Sequence, residues 1–115
     1  MTTATPVVLF DTQFASDTDT EMFVSPEEGA GTTVDKFTAT NTDSVTRTIT
    51  VRLVPPDETP TGTDFLIVDA QTLTTGQRYL FPEVVGQMLA AGGSIRVQAS
   101  AANVVIIRAN GRNWT

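Results

Sequence analysis

Asp17, Asp19, Glu21 and Glu28 occupy positions 1, 3, 5 and 12 of a twelve-residue window, the carboxylate spacing of a calcium-binding loop. Val24 fills the apolar eighth position. Met22, however, stands where such a loop needs glycine for its sharp turn, Pro26 falls inside the window, and the flanks read as strands rather than helices. A solvated acidic segment without metal is the preferred reading. No other constellation reaches chemistry. The chain has neither histidine nor cysteine, so Ser-His-Asp and Cys-His nucleophiles, thiolate zinc sites and disulfides are all excluded. A carboxylate pair for glycoside hydrolysis would need exposed aromatics to hold a sugar, and only Trp114 and Tyr79 stand as candidates. Gly29-Ala30-Gly31 and Gly76 do not follow a strand and open a helix, as a phosphate loop must. The residues predict a protein that is not an enzyme and holds no cofactor.

What, then, must these residues be mounted on? At 115 residues the chain suits one domain with one core. Threonine is the commonest residue and valine is plentiful; both are stiff at χ1 and favour a pleated surface. Alternation is clearest in VTRTITVRLV, where Val45, Ile49, Val51 and Leu53 share one parity and Thr46, Thr48, Thr50 and Arg52 the other, the pattern of a half-buried antiparallel strand. Further strands are expected over 5–14, 21–25, 33–40, 64–70, 77–80, 94–100 and 103–109. Turns fall at Asp17–Asp19, Asn41–Ser44 and Ala101–Asn103, and an exposed Pro/Thr/Gly loop at 55–63. One helix is expected over 82–91, with Pro82 at its first position, Glu83 favouring its positive end, Val84, Val85, Met88 and Leu89 as its apolar stripe, and Gly92 as its stop. In VVIIRA the apolar residues run together, so that strand is expected to be covered on both faces. The whole reads as an all-β, single antiparallel β-sandwich, immunoglobulin-like or jelly-roll, over 1–115, with 1–10 as a possible extended N-terminal arm.

Charge is segregated along the chain. Residues 1–35 hold seven acids and no base; after Glu83 no acid remains, while Arg96, Arg108 and Arg112 follow. This predicts a bipolar subunit whose acidic end faces the basic end of a neighbour. The net charge of −6 argues against sequence-independent nucleic-acid binding. No run approaches the ~20 apolar residues of a membrane span, and no basic start precedes an apolar run, so neither a membrane nor a signal peptide is expected.

The order of elements carries one resemblance. Leu73–Gly76 as a turn before a strand, Leu89–Gly92 closing the helical segment, Ile95–Ser100 and the final Gly111 together resemble a group of small bacteriophage virion accessory proteins, over about residues 36–111. The resemblance implies a non-enzymatic virion protein, made in the bacterial host cytoplasm and carried on the particle surface. The expected role is capsid decoration (cement), binding the major capsid protein or other virion proteins as a homo-oligomer, with a trimer expected. A neck or tail ring or tip component is the alternative, and a carbohydrate-binding module a weaker one. Candidate interface residues are Val7, Val8 and Phe10 in the arm; Asp17, Asp19 and Glu21 in the acidic segment; and Arg96, Arg108, Arg112 and Trp114 towards the C-terminus.

Overall fold

Nine strands form in a computed structural model that describes residues 3–115: β1 Ala4–Phe14, β2 Thr20–Val24, β3 Gly31–Asn41, β4 Arg47–Val54, β5 Leu66–Leu73, β6 Arg78–Tyr79, β7 Met88–Leu89, β8 Ser94–Ala99 and β9 Val105–Trp114. They make two antiparallel sheets. The front sheet runs β1-β9-β3-β6, with β7 also paired to β3; the back sheet runs β2-β8-β4-β5. With β6 and β7 counted as one interrupted strand, this interleaving of eight strands between two sheets is the jelly roll, two nested Greek keys. It decides between the two expected sandwiches.

The core lies between the sheets because alternate residues of each strand point there. Val34, Phe37 and Ala39 of β3 and Val105, Ile107 and Ala109 of β9 meet Ile49 and Val51 of β4 and Ile95, Val97 and Ala99 of β8, all essentially inaccessible to solvent. Each fully buried valine, isoleucine or phenylalanine among them contributes about 1.5–3 kcal/mol. Phe10, Phe37, Phe81 and Tyr79 continue the core as a chain of ring contacts, with centroids 5.2, 4.0 and 4.8 Å apart.

Polar pins close both ends. At one end the Thr32 hydroxyl donates to Asn113 Oδ1 at 2.7 Å, so the Ser25 hydroxyl, 2.7 Å away, donates to Thr32; this links β2's end in the back sheet to the front sheet. At the other end buried Asn41 donates both amide hydrogens, to Val45 O (2.9 Å) and Leu73 O (3.0 Å), and its Oδ1 accepts from the Asp43 amide. Among the described residues no buried side-chain nitrogen or oxygen lacks a partner. The first and last described residues meet: the Thr115 amide donates to Thr3 O at 3.0 Å.

The expected helix over 82–91 does not form. The Val85 amide reaches Phe81 O, one helical turn, and there it stops. Gly86 takes φ +91°; its amide donates to Val34 O, the Val34 amide donates to Gln87 O, and Met88 and Leu89 then pair with Thr33 and Thr32. The β3 edge offers this segment a ladder, whereas an isolated helix of ten residues with adjacent β-branched valines gains too little to nucleate. The apolar stripe is real but differently used. Phe81 and Val84 are plugged into the core, while Leu80, Val85 and Met88 face outward. The segment is a flap rather than a helix.

The last strand also differs from expectation. β9 runs on through Gly111 to Trp114 and lies between β1 and β3. Only one of its faces is covered: Val105, Ile107 and Ala109 are buried, whereas Arg108 is exposed and Ile106 half-buried. Consecutive apolar residues here mark a central strand whose outer face is amphipathic.

Candidate functional site: the outer face of the front sheet

Four strands present one broad outer surface whose cross-strand rows can be read from the register. Ala4, Trp114 and Gly31 form the first row; Pro6, Arg112, Thr33 and Met88 the second; Val8, Asn110 and Lys36 the third; Phe14, Ile106, Thr40 and Arg78 the last. Arg108, opposite Thr38, lies between the last two. Val8, Phe14 and Met88 are about half exposed. Pro6 to Val8 together with Arg108, Asn110 and Gly111 line a shallow depression in this surface.

The polar groups of the face are held by a bulge. Val34 pairs with Gly111 and Lys36 with Asn110, so Asp35 is the extra residue in β3. A Cβ on residue 111 would lie 2.0 Å from Thr33 O, which is why glycine is needed where β3 and β9 approach so closely. The bulge turns Asp35 towards Arg112, whose Nε and Nη2 both donate to it at 3.0 Å, a bidentate pair. The Arg112 guanidinium also lies 5.4 Å from the Trp114 ring centre, and the indole N–H donates to the Thr33 hydroxyl at 2.9 Å. Further along, Arg108 is bonded to Asp11. Trp114 is therefore a fixed plate on the sheet surface, not a loose terminal residue.

The back sheet's outer face is of another character, with Thr48, Thr50 and Arg52 on β4 beside Arg96 and Gln98 on β8. Asp19 bridges the two arginines, 3.2 Å from Arg52 Nη1 and 2.7 Å from Arg96 Nε. Arg52 also donates to Gly62 O (2.6 Å) and Asp64 O (3.2 Å), tethering the β4–β5 loop.

These pairings correct the expected bipolar subunit. Arg96, Arg108 and Arg112 each hold an acid of the chain's first third, namely Asp19, Asp11 and Asp35. The acidic and basic parts of the sequence meet within the fold because β1 and β3 flank β9, and β2 flanks β8. What is segregated in space is different. Every Lys and Arg lies on a strand, while nine of the thirteen acids lie in the connections.

The other candidate residues divide as follows. Val8, Arg108, Arg112 and Trp114 share the front face. Phe10 is buried beside Phe37, and Val7 packs against the core. Asp17, Asp19, Glu21 and Arg96 belong to the opposite side of the sandwich, where the Gln98 amide donates to Asp17 O at 3.1 Å and Glu21 sits opposite Arg96 in the β2–β8 ladder. The twelve-residue acidic window is split by β2, whose extended backbone over Thr20–Val24 keeps it from wrapping round a point. Residues 4–10, expected as an extended arm, are the first part of β1, paired along β9; Met1 and Thr2 lie outside the described residues. Sequence reasoning missed Pro6, Met88, Lys36 and Arg78 as members of the face. Only Arg78 and Lys36 carried a signal, as cations with no acid at strand spacing.

Fold and surface together define a jelly-roll module with a mainly polar back face, interrupted by exposed Val24 and Ile67, and a front face that joins exposed Val8, Phe14 and Met88 to four cations. Comparison with known proteins gave no match, whether to a family model, to a curated protein or to a solved structure.

Proposed function

We propose that this protein is a non-enzymatic structural component of a bacteriophage particle, a capsid decoration protein that works by surface contact. The observation that carries the reading is the outer face of the front sheet. It is built on the hydrogen-bonded strands β1, β9 and β3 with β6 and β7 at their edge, it exposes Val8, Phe14 and Met88, and its Arg108 and Arg112 are braced by Asp11 and Asp35. Such a preorganised apolar surface with charged anchors suits a protein partner. The jelly roll occurs in capsid domains, which agrees with the reading by analogy; it also occurs in lectins and cupins, so the fold does not choose. A sugar platform is not favoured. Phe10, Phe37 and Phe81 are in the core, and Trp114 and Phe14 stand at opposite ends of the face, about 30 Å apart at strand spacing.

Copy number in purified particles tests the proposal. Quantitative mass spectrometry of virions from a phage carrying this gene should find hundreds of copies per particle. Six or twelve would instead indicate a neck or tail ring, and none would reject the virion reading. Deleting residues 1–10 is not a usable test of an arm, because it strips β1 from β9. Val8→Lys and Met88→Lys are the informative variants: both should keep the fold and lower occupancy on heads.

A further inference from the structure

The front face and one end of the same molecule are complementary. The strands of the front sheet carry Asp11, Asp35, Lys36, Arg78, Arg108 and Arg112, a net charge of +2. Asp11 and Asp35 are committed to Arg108 and Arg112. Exposed Lys36 and Arg78 have no carboxylate within ion-pair distance among the described residues. Thus the surplus charge of the face is carried by these two, beside the apolar Val8, Met88 and Phe14.

The end of the sandwich where β2, β4 and β7 finish has the opposite character. Its three connections, residues 25–30, 55–65 and 90–93, contain Glu27, Glu28, Asp57, Glu58 and Asp64 and no base. The loops touch one another there, since a Cβ on Gly92 would lie 3.2 Å from Pro56 and 3.5 Å from Glu27. Arg52 reaches in from β4 and is used up on Asp19 and the loop carbonyls. Pro26, Pro55, Pro56 and Pro60 restrict these loops, so they present their acids with little ordering left to pay.

We infer that the outer face of the front sheet receives the acidic loop end of a second copy of this chain, head to tail. This rests on the reading of the face as a contact surface and names its occupant. Two copies set face to face would place +2 against +2, which charge disfavours; face against loop end places +2 against five acids. The dimensions allow it. The molecule measures 49 × 28 × 20 Å, so an end-on contact covers on the order of 500 Å² of each partner, less than the ~800 Å² per partner of a standard interface. The association is therefore reversible, dependent on concentration and sensitive to salt. Because the two surfaces differ, each contact leaves one face and one loop end free, and the assembly grows into a ring or an open chain rather than stopping at two.

Sedimentation velocity on the full chain tests this. The protein should form species larger than dimers as concentration rises at low salt, with the association weakened about tenfold or more at high salt. A face variant, Lys36→Glu with Arg78→Glu, and a loop variant, Glu28→Lys with Glu58→Lys, should each sediment as monomers with an unchanged circular-dichroism spectrum. Mixed in equal amounts they should associate again, because the unaltered face of the loop variant then meets the unaltered loop end of the face variant. That rescue cannot come from misfolding. For the unaltered chain, a monomer at every concentration, a species that stops at the dimer or association insensitive to salt would each overturn the inference, and so would a mixture of the two variants that stays monomeric. Copies that remain monomeric in solution yet occur by the hundred on particles would overturn it and leave the virion reading standing. Copies that associate but are missing from particles would do the reverse.

Discussion

Asn41 ties the β3–β4 turn to the end of β5. It is fully buried and spends both amide hydrogens and its carbonyl on three backbone groups, two of them in the β3–β4 turn and one at the end of β5. Asn41→Ala removes all three bonds and leaves Leu73 O buried without its donor. The expected loss is about 3–5 kcal/mol in denaturant unfolding, whereas Thr42→Ala, beside it at the surface, should cost under about 1 kcal/mol. Tyr79 offers a different measurement. Burial and its hydrogen bond to the Glu83 carboxylate push the phenol up to about 12. The folded value lies above the ordinary value near 10, so the folded state favours the neutral phenol. The stability it contributes is fully present below about pH 10 and is lost as pH rises towards 12. As the sole tyrosine, it can be followed by ultraviolet absorbance, and Glu83→Gln should bring its titration back towards 10. Asp43 shifts the other way: the Arg47 guanidinium and the Ser44 amide hold its carboxyl below the usual range.

The flap between β6 and β7 is where sequence periodicity misled. Val84, Val85, Met88 and Leu89 fit a helical stripe, yet β3 captured the segment through Val34, and the apolar residues were divided between plug and surface. The periodicity of a ten-residue segment cannot reveal that a neighbouring strand has free donors and acceptors to offer. Phe81 shows the outcome most plainly, since it is fully buried while its backbone sits at φ +49°, a costly conformation for a bulky residue that packing must over-determine. Phe81→Ala should cost about 3–5 kcal/mol, while Leu80→Ala next to it should change stability by less than about 0.5 kcal/mol. Gly111→Ala attacks the bulge instead. The added carbon cannot fit against Thr33 O without parting β3 from β9, and a loss of more than about 2 kcal/mol is expected, with faster hydrogen exchange along both strands. The strands with strict alternation were the legible ones. In β4, Ile49 and Val51 are buried and Thr48 and Thr50 are not, as their parity requires.

Across the molecule, composition and alternation sufficed for an all-β sandwich, because they follow from local stereochemistry. The interleaved strand order did not follow from them, and without it the arginine–carboxylate pairs could not be foreseen. Asp11 and Arg108 are 97 residues apart, and only the placement of β1 against β9 joins them. The sequence showed a gradient of charge along the chain, and folding turned it into a contrast between strands and loops. Thr3 and Thr115 are hydrogen-bonded neighbours at the acidic end, so a short linker could seal the backbone into a ring. Cutting that ring in the exposed 55–63 loop would give a circular permutant whose new termini lie at the same end of the molecule. It should fold to the same sandwich, with a circular-dichroism spectrum indistinguishable from the parent's. Cutting instead within 43–45, beside the Asn41 pin, should give an insoluble or unfolded chain. Residues 3 and 115 thus share one corner of a backbone that is nearly closed, and a segment fused at either would leave the molecule from that corner.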